Sequence, residues 1–131
     1  MENRICLDTD FLIDVLRNKK EAVLWLKEVE NNYEVSTTMI NIFELYSGAY
    51  KVKNSTEKIK SMKKLVENLD VLGLTFNCAE NAGKIRAELE VNGKALESRD
   101  ILIAAIALIN NCSLKTNNKK HFSRIKGLKI I

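Results

Sequence analysis

The chain has 131 residues, of which 46% are hydrophobic and 29% charged, and its net charge is +4. This length supports one hydrophobic core, and the composition excludes a disordered chain and an integral membrane protein, because no apolar run approaches the ~18 residues of a membrane span. We therefore predict a single soluble domain over residues 1–131, and the lack of a signal-peptide pattern at its N-terminus predicts a cytoplasmic location.

The first half of the chain alternates between short strand patterns and helical periodicity. Asp10 is a candidate N-cap for the first helix, and Thr37 or Thr38 can cap the third. In chain order the predicted elements are a strand at 4–7, helices at 11–16 and 22–29, a strand at 33–37 and a helix at 39–46.

The second half continues the same alternation. A helix opened by Ser55 or Thr56 is followed by further short elements, with a turn at Asn92 and Gly93 before the most apolar helix. The predicted elements are a helix at 55–69, a strand at 71–74, helices at 79–91 and 98–110, and strands at 113–116 and 128–131.

Short strands separated by helices indicate βαβ crossovers and a mostly parallel sheet. We predict an α/β fold of three layers, α/β/α, with about five strands. Ligands of such folds bind beyond the carboxyl ends of the strands. This rule brings Asp8, Thr37, Thr38 and the residues 116–118 to one edge of the sheet.

Charge is unevenly distributed along the chain. Asp100 is the last carboxylate, so only cations follow in residues 101–131, and a second basic stretch covers residues 51–64. This asymmetry favours a polyanionic partner, although a solvated helix face and a basic tail would give the same pattern.

The chain lacks the sequence motifs of the common α/β enzymes. The chain has neither of the glycine-rich phosphate-binding motifs nor the nucleophile elbow of a hydrolase. Its three cysteines, Cys6, Cys78 and Cys112, are far apart, and His121 is the only histidine, which argues against a zinc site and for buried thiols.

Three carboxylates occupy positions where burial is expected. Asp8 follows a buried strand, while Glu44 and Asp100 lie on helix faces of apolar and small residues. Buried anions need a compensating cation. Arginine or lysine side chains can supply it, with Arg4, Arg86 and Arg99 as candidates, but an all-oxygen ligand set favours Mg²⁺ or Mn²⁺. Such a cation beside basic surface suggests phosphodiester hydrolysis.

Four segments of the chain resemble the signature blocks of the PIN-domain family, in particular its VapC-type toxins. They cover essentially the whole chain in the right order, as ICLDTDFLID (5–14), NIFELYSGA (41–49), GKALESRDILIAAIA (93–107) and LKTNNKKHF (114–122). The resemblance implies a PIN-like fold and a Mg²⁺- or Mn²⁺-dependent endoribonuclease. It also implies a homodimer, an RNA substrate and a small VapB-like antitoxin whose C-terminal segment enters the active site.

Carried over residue by residue, the resemblance places Asp8, Glu44 and Asp100 at the family's acidic metal-site positions. Thr9 falls on the hydroxyl position beside the first acid, and Thr116 on the polar residue that closes the strand before the fourth block.

The fourth block departs from the family pattern. Many relatives carry an aspartate where this chain has Asn118 or His121. Asn118 can still offer a carbonyl oxygen to a cation but adds no charge, so one metal ion is expected to bind more strongly than a second.

Two alternatives remain open from the sequence. One is a PIN-like module that binds RNA or a protein without cutting, which the altered fourth block favours. The other is a phosphatase of the haloacid-dehalogenase type, which the pair Asp8 and Asp10 resembles, although the Gly-Thr expected after Asp10 is missing.

Overall fold

The computed structural model describes residues 3–131; Met1 and Glu2, where the predicted domain begins, lie outside the described residues. The elements of the first half are β1 (Arg4–Leu7), α1 (Thr9–Leu16), α2 (Lys20–Glu30), β2 (Glu34–Thr38), α3 (Met39–Tyr50) and α4 (Ser55–Val66). They are followed by β3 (Asp70–Leu72), α5 (Phe76–Val91), α6 (Ser98–Ile109), β4 (Ser113–Lys115) and α7 (Lys119–Phe122).

Within residues 3–131 the strands form a four-stranded parallel sheet in the order β3-β2-β1-β4. The predicted α/β class is confirmed, but the fifth strand expected at residues 128–131 is not formed. That segment pairs with β4 only through one isolated bridge, between Ile130 and Leu114. β4 is three residues long, so its outer edge offers little backbone to pair with.

Helices cover both faces of the sheet, which gives the predicted three layers. Alternate residues of β1 point to opposite faces: Ile5 and Leu7 pack into a core shared with α1, α2, α3 and α4, and Cys6 packs into a core shared with α5 and α6. This alternation follows from the period of two along a strand. β1 is therefore buried on both sides.

Two helix starts bear on the site. Asp8, not Asp10, caps α1: the helix begins directly after β1, and the Asp8 side chain accepts the Thr9 N–H. Thr38 caps α3 as predicted, in a reciprocal capping box with Asn41. Because both caps follow strands, α1 and α3 begin at the same edge of the sheet.

The remaining expectations concern the cysteines and membrane-spanning helices. All three cysteines are free and buried, as predicted. In residues 3–131, no helix combines the length and the apolar character needed to cross a membrane.

Candidate active site

Asp8 lies at the centre of the polar residues at the carboxyl end of the sheet. Its backbone N–H continues the ladder to Lys115 O at 2.9 Å, which fixes the main chain, and its side chain is only 7% exposed. Oδ1 accepts hydrogen bonds from the Thr9 N–H at 2.9 Å and from Asn41 Nδ2 at 3.1 Å. Oδ2 accepts from Thr116 Oγ1 at 2.7 Å. Both carboxylate oxygens are thus oriented by neutral donors.

The environment of Asp8 disfavours its charged form. The pKa of Asp8 is raised to about 6, mainly by burial; the nearby carboxylates of Asp10 and Glu44 contribute to this rise, and the hydrogen bonds from Thr116 and Thr9 oppose it. Among residues 3–131, no cationic side chain lies within 4.0 Å of this carboxylate. Asp8 is therefore a buried acid with no counter-cation in the described part of the chain.

Glu44 comes from α3 and approaches Asp8 through Thr9. Thr9 Oγ1 donates to Glu44 Oε1 at 2.6 Å, and Asn41 Nδ2 donates to Thr9 Oγ1 at 2.9 Å. The other oxygen, Oε2, lies 3.2 Å from Arg99 Nη1. Arg99 was among the arginines predicted to compensate the acids, and it pairs with Glu44 here.

Asp100 comes from the first turn of α6, on the other side of Glu44. Burial raises the pKa of Asp100, and the charges of Glu44 and Glu97 add to that effect. Its Oδ2 lies 3.3 Å from His121 Nδ1, and the charges of His121 and Arg99 oppose the rise. Asp100 and Glu44 therefore each contact a basic side chain, His121 and Arg99 respectively.

The fourth block closes the site from β4 and α7. The Asn118 N–H donates to Thr116 Oγ1 at 3.0 Å, so the turn is tied to the hydroxyl that orients Asp8. The Asn118 side-chain nitrogen lies 2.9 Å from His121 Nδ1. Asn118 thus lies beside the pair formed by His121 and Asp100 and is linked to Asp8 through the Thr116 hydroxyl.

Asn41 and Asp10 have roles that the sequence analysis missed. Asn41 is completely buried and links the α3 cap to Asp8 and Thr9. Asp10 accepts the Asn117 N–H at 3.2 Å with both of its oxygens, which fastens the turn after β4. The position of Asn41, three residues after a capping threonine and three before Glu44, is a signal that could have identified it.

A hard divalent cation fits the chemistry of these donors. The arrangement offers carboxylate, hydroxyl and amide oxygens, and the buried Asp8 has no positive partner within 4.0 Å among the described residues. In the described part of the chain, no three Asp, Glu, His or Cys side chains already converge at metal-ligand spacing. The side chains of Glu44 and Asp100 would therefore have to move to join Asp8 around one ion.

Comparison with known proteins places the chain in a family. The PIN domain matches residues 5–128. "Ribonuclease VapC2" of Rickettsia felis is 30% identical over 93% of this chain and 92% of its own length. "tRNA(fMet)-specific endonuclease VapC" of Shigella flexneri is 29% identical over 96% of this chain and 95% of its own. These relatives favour the nuclease interpretation over the phosphatase alternative.

Solved structures agree with the sequence relatives. The crystal structure of VapBC2 from Rickettsia felis, bound to a DNA fragment from its promoter, contains a chain with a TM-score of 0.92 and 27% identity, covering 98% of this chain and 97% of that one. DNA-bound VapBC from Salmonella typhimurium gives a TM-score of 0.90 at 28% identity, covering 100% and 98%. The chain therefore belongs to the PIN-domain family, among the VapC-type ribonucleases.

Proposed function

We propose that this protein is a Mg²⁺- or Mn²⁺-dependent endoribonuclease and the toxin of a type II toxin–antitoxin pair. The observation that carries the proposal is the buried Asp8 carboxylate, which lies near other acids at the carboxyl end of a parallel sheet and has no counter-cation within 4.0 Å among residues 3–131. The ribonuclease names of the relatives support the same activity.

Asp8, Glu44 and Asp100 are the residues that would hold the cation. When bound, it would supply an acidified water molecule and neutralise charge on the phosphate oxygens. Thr9 positions Glu44 through its 2.6 Å hydrogen bond, and Thr116 positions Asp8 through its 2.7 Å bond. These are positioning roles, because both hydroxyls act on the acids.

Asn118 has a positioning role at Asp100. Its side chain contacts His121, which in turn contacts Asp100. Since Asn118 carries no charge, we propose that one cation binds more strongly than a second.

RNA is the proposed substrate because exposed cations flank these acids. Lys119 and Lys120 directly follow Asn118 in α7, and Lys58 of α4 lines the groove that contains Glu44. Such cations bind the phosphate backbone irrespective of base sequence. An RNA substrate implies action in the cytoplasm.

Metal dependence tests the proposed activity directly. We expect purified protein to shorten single-stranded or looped RNA with Mg²⁺ or Mn²⁺ and to lose this activity in excess chelator. Asp8→Asn and Asp100→Asn should abolish cleavage, and Glu44→Gln should reduce it, whereas Asp70→Asn, at an exposed position in β3, should not. Undiminished cleavage in chelator would refute the proposal.

A non-cutting RNA- or protein-binding module is the second candidate. It is favoured by the contacts of Arg99 with Glu44 and of His121 with Asp100, because two of the three acids already have a basic side chain as partner. The same assay separates the two functions, because a module of this kind would retain RNA intact in Mg²⁺ and in Mn²⁺.

An antitoxin is proposed as the protein partner. A groove of about 290 Å³ runs between α1, α3 and α4, with apolar walls that include Ile13, Leu45 and Met62 and with Glu44 among its lining residues. An amphipathic segment could bury apolar side chains there and direct an arginine to the carboxylates. Purification from the native host should yield a heteromeric complex with little nuclease activity, and recovery of only active, unaccompanied protein would contradict this.

A homodimer is the last part of the proposal. The family resemblance supports the homodimer, and light scattering of the purified toxin measures its molecular mass. A mass equal to the 14.9 kDa of one chain would contradict it.

A further inference from the structure

Arg99 occupies a position that is unfavourable for the stability of α6. It is the second residue of α6, in the first turn, where the positive end of the helix dipole disfavours a cation. Local rules of this kind are broken most often at functional sites. Its side chain is 51% exposed, so a ligand in solvent can reach the guanidinium.

Two carboxylates hold this guanidinium at the acidic site. Nη1 lies 3.2 Å from Glu44 Oε2, and Nη2 donates to Glu97 Oε2 at 3.0 Å. Glu44 Oε1 accepts from Thr9 Oγ1 at 2.6 Å. Both oxygens of Glu44 are therefore engaged, one by a neutral donor and one by the charge of Arg99.

A cation bound at the acids would affect the two contacts of Arg99 differently. Glu44 would have to turn Oε2 away from the guanidinium to share a cation with Asp8. Glu97, 67% exposed, is the N-cap of α6 and has no place among the acids around Asp8, so its contact with Nη2 can persist. The guanidinium would then stay near the site with Nη1 free, in a planar geometry suited to phosphate oxygens.

We propose that Arg99 is an exchangeable counter-ion of Glu44: it neutralises Glu44 in the cation-free protein, and it binds a phosphate of the RNA once Glu44 holds the divalent cation. This inference rests on the proposed nuclease function. It adds Arg99 to the residues that position the substrate and gives Glu97 the task of retaining the guanidinium at the site.

The first test measures Mn²⁺ affinity by calorimetry, without RNA. Arg99→Gln removes the competing charge and should bind Mn²⁺ about twofold to fivefold more tightly, the range expected for loss of one exposed ion pair. Arg99→Lys keeps a charge and should lie closer to the wild type. Arg86→Gln is the matched control, since Arg86 contacts Ser98 of the same helix turn but no acid of the site. Unchanged or weaker Mn²⁺ binding by Arg99→Gln would overturn the proposal.

The second test measures RNA affinity in Ca²⁺, over a time in which gels show the RNA intact. Arg99→Gln should bind roughly threefold to tenfold more weakly, and the slope of log affinity against log salt should fall by about 0.7, as for one lost phosphate contact on a single strand. Arg99→Lys should recover the slope but not the full affinity, because lysine lacks the planar fork. Equal RNA affinity in Arg99→Gln and wild type would overturn the phosphate role.

The wild-type protein separates failure of this inference from failure of the proposed function. If it neither binds Mn²⁺ nor cleaves RNA, both are wrong. If it does both while Arg99→Gln matches it in Mn²⁺ and RNA affinity, the nuclease function stands and only the role of Arg99 is wrong.

Discussion

Replacing Asp8 by asparagine should stabilise the metal-free protein at neutral pH. The buried carboxyl of Asp8 has its pKa raised from 3.8 to about 6, so above that pH the folded protein must keep a charge that burial disfavours. Each pKa unit corresponds to about 1.4 kcal/mol, and the shift therefore represents up to about 3 kcal/mol of folding free energy.

The sign of the pH dependence follows from the same shift. Since the folded pKa exceeds the unfolded value, the proton favours the folded state: its contribution is complete below pH 3.8 and is lost as the pH rises to about 6. Asp100, whose pKa is also raised by burial, contributes in the same direction. Asp8→Asn should remove the larger part of this decline in stability with rising pH.

Asparagine is suited to the position of Asp8. Its Oδ1 can keep accepting from Thr9 and Asn41, and its amide nitrogen can donate to the Thr116 hydroxyl, which rotates to accept. We therefore expect a net gain of about 1 to 3 kcal/mol at pH 7.5 and little gain near pH 4.

Urea denaturation in chelator, at pH 4 to 8, measures this effect. Asp70→Asn is the matched control, because Asp70 is exposed at the start of β3, and its free energy of unfolding should stay within about 0.5 kcal/mol of the wild type. An Asp8→Asn protein that is less stable than wild type at pH 7.5, or that keeps the wild-type pH slope, would refute the reasoning.

Three further substitutions test other parts of the site and its surroundings. Asn41→Ala should lower the free energy of unfolding by about 2 to 3 kcal/mol, because it removes a fully buried amide that completes the α3 cap and donates to Asp8. A free energy of unfolding from urea denaturation that stays within about 0.5 kcal/mol of the wild type would contradict this. Asn118→Asp adds a carboxylate beside His121 and should strengthen Mn²⁺ binding roughly threefold to tenfold in calorimetry, and unchanged affinity would show that position 118 is remote from the cation. Gly48→Ala should raise the free energy of unfolding by about 0.5 to 1 kcal/mol, since an added Cβ meets nothing within 4 Å in α3; a loss of stability would contradict that expectation.

Local patterns in the sequence were sufficient for most of the fold. The apolar residues 5–7 followed by Asp8 predicted a buried strand ending in a polar site, and Thr38 predicted the start of α3. These features depend on neighbours in the chain, where periodicity and capping rules apply. The same rules predicted Asp10 as the cap of α1, which is wrong, because the helix begins directly after β1 and Asp8 caps it.

The contacts within the site depend on residues far apart in sequence, and the patterns do not specify them. The pairing of Arg99 with Glu44 was one of several possible pairings, and the link from Asn41 to Asp8 joins side chains 33 positions apart. The segment 128–131 had strand character, but pairing needs a partner edge, and Leu114 offers it only two backbone hydrogen bonds. Tertiary geometry decides such cases.

The sheet order also governs when the acidic site can form during protein synthesis. β1 leaves the ribosome first, yet its neighbour β4 and the Thr116 hydroxyl come from the far end of the chain, 108 positions after Asp8. Synthesis adds roughly 5–20 residues per second, so a nascent chain carries Asp8 for several seconds before its partner exists. A growing chain therefore cannot assemble the intact site, and each copy acquires the Thr116 contact of Asp8 only after β4 has been made.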